Sequence, residues 1–149
     1  MEAFPSGDLT GLRGQRLEGG FNGETFCVEG PVGPAVLRVY GRDPHRAPID
    51  AALLHLVRGL VPVPRVLDLR RADPTRPGEP AHLLTTYEPG VRLEDVLPHA
   101  DPALGRSLAA SLGGVLATLS GIAFLRPAMF LDADLMLSVQ AAPAPDLVA

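Results

Sequence analysis

The sequence predicts an α+β fold with an antiparallel sheet, and three observations carry that reading. Short apolar and β-branched runs cluster in the first part of the chain, separated by glycine and proline turns. The order of segments is three strands, a helix, two strands, a hinge and then helices, which is not the strict strand–helix alternation of a parallel sheet. Glycine and proline, 16 of each in 149 residues, punctuate the chain often enough to keep its elements short and well delimited.

The length suits one domain able to bury a core. With 46% hydrophobic and 20% charged residues the chain is globular rather than disordered. The net charge is −4 and all 13 basic residues are arginine. That balance argues against nucleic acid or an anionic membrane as the main partner, yet it leaves room for a local basic pocket that holds phosphate. Cys27 stands alone, so neither an internal disulfide nor a cysteine-built zinc site is available. No apolar run reaches the ~18 residues of a membrane span, and the first residues lack a signal-peptide core, so a cytoplasmic location is expected.

Residues 1–13 read as a polar leader. Residues 17–40 read as strand, glycine-rich turn, strand, short turn and strand. Gly19, Gly20 and Gly23 stand where a tight turn needs positive φ or where backbone must approach a ligand. Residues 25–28 form the second strand and 35–40 the third, an apolar run that carries the single charge of Arg38. The turn at 41–44 can cap the helix that follows, through Asp43 and Pro44. That helix is predicted over 48–58, with Ile49, Leu53, Leu56 and Val57 on one face, Asp50 in its first turn and Gly59 as its stop.

The Val-Pro-Val-Pro run at 61–64 must be extended. Strands at 65–69 and 82–87 flank a polar loop and pair antiparallel, and Glu88-Pro89-Gly90 breaks the chain into a hinge. A short helix is predicted at 91–97. The longest helix follows Asp101-Pro102 and runs to about 120, with Leu104, Leu108, Leu112, Val115, Leu116 and Leu119 as an apolar stripe. Residues 122–140 supply a turn and strand, and 138–149 read as a linker. His45, His55, His82 and His99 show no ligand spacing and read as surface or loop residues.

A glycine turn between strands, a cation in the next strand and an acid on the next helix form a phosphate-handling arrangement. Turn amides cover phosphates, the cation meets their charge, and the acid holds the cation in place. The cation is Arg38 and the acid Asp50, twelve residues later.

The segments GGFNGETF, AVLRVY, IDAALLHLV, VPVPRVLDL and HLLTTYEPG together resemble the amino-terminal part of the aminoglycoside phosphotransferase/choline kinase-like family over residues 14–137. The resemblance implies a protein-kinase-like N-lobe at 14–88, a five-stranded antiparallel sheet plus one helix. A hinge and the first helices of a truncated C-lobe would occupy 89–137. It implies transfer of a phosphoryl group from ATP or GTP, with Mg, to a small-molecule hydroxyl. Gly19, Gly20, Asn22 and Gly23 would cover the nucleotide, and Arg38 takes the place of the lysine that touches the α- and β-phosphates. Asp50 takes that of the lysine's glutamate partner, and Tyr87 and Glu88 that of the hinge whose backbone meets adenine. Arginine is longer than lysine and aspartate one methylene shorter than glutamate, so the exchanged pair spans a similar gap.

The chain departs from the family at the catalytic loop. Phosphoryl transfer in this fold uses an aspartate to accept the hydroxyl proton, with an asparagine and a second aspartate on magnesium. His99-Ala100-Asp101 mimics the start of that motif, but Arg106 stands where the asparagine belongs and Pro102 marks Asp101 as a helix cap. Asn22 is the only asparagine in the chain. Asp132 and Asp134 precede the family's catalytic loop and read as turn residues. No catalytic residue or metal ligand is therefore assigned.

The expected function is the nucleotide-holding part of a truncated small-molecule phosphotransferase, inactive alone. Its partners would be a nucleotide and, only with the missing lobe supplied, an acceptor of antibiotic, choline-like, sugar or homoserine-like type. The alternatives are a degenerate kinase-like module that binds nucleotide or protein, and an α+β domain unrelated to kinases. Without a second lobe the leucine stripe of the long helix would be open to a partner.

Overall fold

The computed structural model describes residues 14–17, 23–30, 33–76, 79–123 and 128–138. The leader at 1–13, the loop residues Gly19, Gly20 and Asn22, and most of the predicted linker lie outside them.

Five strands make one sheet in the order β1-β2-β3-β5-β4, every neighbouring pair antiparallel. They are β1 (Gly14–Leu17), β2 (Glu24–Gly30), β3 (Gly33–Tyr40), β4 (Val66–Arg70) and β5 (Ala81–Thr86). β2 and β3 run longer than the apolar pattern predicts, because their ladder continues to Glu29↔Pro34 and Gly30↔Gly33 in a tight hairpin. Gly33 has φ 109, a conformation that favours glycine.

β3 is internal, so Arg38 is not an edge-strand charge. Alternation along it divides the sheet. Ala35 and Leu37 join Val28 and Leu84 in one buried cluster, flanked by Phe26, Val39 and Leu67. Tyr40 points the other way, into a cluster with Ala47, Ala51, Ala81 and Leu83, flanked by Leu54, Val66 and Leu69. Val66 and Leu69 share that side although three residues apart, because a register shift between Val66 and Asp68 adds one residue to β4.

Helix α1 (Arg46–Val57) lies on the Tyr40 face. Ala47 and Ala51, one turn apart, oppose Ala81, and these small side chains allow the helix close to the sheet. Burying Leu37, Leu83 or Leu84, each at most 5% exposed, stabilises by roughly 1.5–3 kcal/mol. α1 begins two residues before the predicted start. Its N-cap is His45, with no side-chain cap bond; Asp43 contributes only its carbonyl, which accepts from Arg46 N at 3.1 Å. Asp50 is consequently one turn into the helix, not in its first turn. Gly59, φ 89, ends the helix as predicted.

Beyond β5 the predicted 91–97 helix is α2 (Leu93–Val96), which tightens into a 3-10 turn at Leu97–His99. α3 (Pro102–Ser120) matches its prediction closely, and Asp101 caps it by accepting from Ala103 N and Leu104 N at 2.8 Å each. None of its residues is buried, so Leu104, Leu112 and Leu116 are open. Contrary to the expectation that no segment is long and apolar enough to cross a membrane, α3 is so by length and composition, with mean hydropathy 1.2, although Arg106 and several hydroxyl residues interrupt it. Its leucines instead recur on one side, as in a helix that packs along a single face.

β6 (Met129–Phe130) and β7 (Leu137–Ser138) form a separate antiparallel pair. His82 corrects its surface reading. It is 2% exposed and its Nε2 lies 3.2 Å from Asp68 Oδ2, whereas His45, His55 and His99 are exposed as expected.

Candidate functional site

Register places one row of side chains on the α1 side of the sheet. Leu17 pairs with Thr25, Thr25 with Arg38, Arg38 with Leu83, and Val36 with Thr85. Together with α1 these residues enclose a cleft of about 680 Å³, within the range of small-molecule sites. Leu53, Leu54 and Val57 of α1, the extended Val61–Pro64 linker and Leu119 of α3 complete an apolar lining. The charged lining residues are Arg38, Arg46 and Asp50.

The two arginines, together with Tyr40, converge on the Asp50 carboxylate. Arg46 Nε donates to Asp50 Oδ1 at 2.7 Å, the Tyr40 hydroxyl donates to Oδ2 at 2.8 Å, and Arg38 Nη1 lies 3.5 Å from the same Oδ2. Asp50 therefore does meet Arg38 across twelve residues, but its short contacts go elsewhere. Helix spacing explains the order: Arg46 is four residues before Asp50 on the same face. Arg38 is further placed by the Tyr40 ring, whose centroid is 5.7 Å from its guanidinium carbon. Its Nε is buried with no partner among the described residues. Burial, then the hydrogen bond to Asp50, pushes the Tyr40 hydroxyl well above the usual tyrosine range, so it stays a donor.

A single family comparison decides the chain's kinship: the model of the phosphotransferase enzyme family matches residues 13–147. The chain belongs to this family. No curated protein matches it.

For a member of the phosphotransferase family, the remaining site residues fall as follows. Gly19, Gly20 and Asn22 lie outside the described residues. Gly23 does not have the positive φ expected of it as a turn glycine. A Cβ there would collide with the Val39 carbonyl oxygen, so glycine is required where the chain entering β2 passes the end of β3. Tyr87 and Glu88 follow β5 as exposed residues outside the cleft lining. Thr86 joins this stretch to β4: its Oγ1 accepts from Arg65 N at 2.9 Å and donates to Glu88 Oε1 at 2.8 Å.

Asp132 Oδ1 is occupied by a turn, accepting from Asp134 N and Met136 N at 3.0 and 3.1 Å. Among the described residues no group of three or more His, Cys, Asp or Glu side chains is placed to hold a metal ion.

Sequence reasoning missed Arg46 and Tyr40. The signals were present: Arg46 at helical spacing from Asp50, and Tyr40 two positions after Arg38 on the same strand face.

Proposed function

We propose that these residues form the nucleotide-holding lobe of a kinase that transfers a phosphoryl group from ATP or GTP to a small-molecule hydroxyl. The observation that carries the reading is the cleft itself, an apolar slot between sheet and helix with two arginines and one carboxylate among its walls. Leu17, Thr25, Val36 and Thr85 suit the faces of a purine, and Arg38 suits its phosphates. The lining fits the nucleotide, and among the described residues no group of three or more His, Cys, Asp or Glu side chains is placed to hold its Mg. Such a nucleotide supplies the phosphoryl group when bound; the chain's part is to orient it, Arg38 drawing the phosphate chain toward the sheet and the apolar walls excluding water from the base.

By themselves these residues hold the nucleotide without spending it. Asp101 caps α3 and Asp132 closes a turn, each through its Oδ1, so both carboxylates serve local structure. The same observations favour, as a second reading, a degenerate module that binds nucleotide for its own sake. The test is a thermal-shift series with ATP-Mg and GTP-Mg. A rise in Tm that Arg38→Ala abolishes supports the nucleotide site, and no rise with either nucleotide refutes it. Turnover of ATP with any hydroxylated acceptor would overturn the inactivity.

A further inference from the structure

Asp50 has more cation around it than the holding of one arginine needs. Arg46 engages it through Nε at 2.7 Å, while Arg38 shares its other oxygen with the Tyr40 hydroxyl and stays at 3.5 Å. Both arginines line the cleft, Arg38 from the sheet wall and Arg46 from the helix wall. With Asp50 ionised, two guanidiniums against one carboxylate leave one net positive charge in an otherwise apolar slot. Arg46 uses only Nε on Asp50, and among the described residues its terminal nitrogens have no other partner. Arg38 is held loosely, and its Nε has no partner among the described residues.

We infer that Arg46 is a second phosphate ligand, forming with Arg38 a two-guanidinium site for a polyphosphate chain. Asp50 is the shared counter-charge that keeps the two cations together before the ligand arrives. The inference rests on the nucleotide reading above and adds to it a residue from the helix wall. Both guanidiniums meet the same carboxylate, Arg46 at Oδ1 and Arg38 at Oδ2, so one phosphate chain entering the cleft can meet both. Each retains N–H groups for charge-assisted bonds to phosphoryl oxygens.

The test is calorimetric titration of the 149-residue chain with sodium tripolyphosphate, ATP and adenosine, for the wild type, Arg38→Gln, Arg46→Gln and Arg46→Lys. Arg46→Gln is expected to weaken tripolyphosphate and ATP by about tenfold or more, as Arg38→Gln does, to leave adenosine unchanged, and to flatten the salt dependence. Wild-type affinity for tripolyphosphate in Arg46→Gln, with loss in Arg38→Gln, overturns the inference and leaves the nucleotide reading intact, since Arg46 then only braces Asp50. A wild type that binds ATP but not tripolyphosphate also overturns the two-guanidinium site alone, and one that binds neither ends both. Should Arg46→Gln fail to fold, Arg46→Lys decides. A point charge replacing the planar fork is expected to weaken tripolyphosphate about threefold or more, and unchanged affinity refutes the role.

Discussion

Replacing Tyr40 by phenylalanine probes the Asp50 hub with the least disturbance of packing. The ring is 1% exposed and keeps its shape, so the change removes one hydroxyl and its 2.8 Å bond to Asp50. A hydrogen bond to a charged group contributes about 1.5–3 kcal/mol. Asp50 keeps Arg46 at 2.7 Å, which places the expected loss at the low end, about 1.5 kcal/mol at neutral pH.

The alkaline limb gives a sharper signature. Tyrosine in the unfolded chain ionises near 10.0, while burial and the Asp50 bond raise Tyr40 in the folded protein. Above 10.0 the folded state keeps a proton that the unfolded state has lost, so this contribution is complete below 10.0 and declines as pH rises. Phenylalanine has no such proton, and the wild type's advantage should shrink through that window. The absence of lysine, which would titrate in the same range, makes the comparison unusually clean. Urea denaturation followed by far-UV circular dichroism between pH 7 and 11 measures it. A variant within about 0.5 kcal/mol of wild type at pH 7, or one with an unchanged alkaline slope, would refute the reasoning.

Other substitutions test the fold around the site. Gly23→Ala should destabilise by about 1–3 kcal/mol, because its Cβ would collide with the Val39 backbone oxygen, which has little room to give; denaturant midpoints will show it. Gly113→Ala and Gly114→Ala should do the reverse, raising α3 helicity by circular dichroism and stabilising the helix by about 1 kcal/mol each, since nothing lies within 4 Å of either added methyl. Leu112→Glu with Leu116→Glu should lower self-association in sedimentation velocity and leave Tm unchanged, the two leucines being 45% and 55% exposed; a large fall in Tm would mean that the stripe is covered in the folded chain.

Where sequence and structure agree, the determinants are local. Asp101-Pro102 sets the start of α3 through bonds to amides two and three residues away, and Gly59 ends α1 through its own backbone. The pairing of β4 with β5 and the sheet-plus-helix order are likewise legible from runs and turns. The misses depend on relations between distant segments. The need for glycine at 23 follows from how β2 seats against β3, and the burial of His82 from its place beside Asp68 on the neighbouring strand. The bulge in β4, which brings Val66 and Leu69 to one side, leaves no mark in the hydrophobic pattern. Arg46 is legible from its four-residue spacing to Asp50, but Arg38 already gives that acid a sufficient partner, so the sequence does not demand a second one.

β3 is paired along both edges and contributes to both buried clusters, so it has no route to local fraying and comes apart only with the whole sheet. A ligand held by Arg38 is therefore tied to the most cooperative segment of the molecule. Its binding free energy should appear in full as resistance to global unfolding, rising with the logarithm of ligand concentration, rather than as the quieting of a loop.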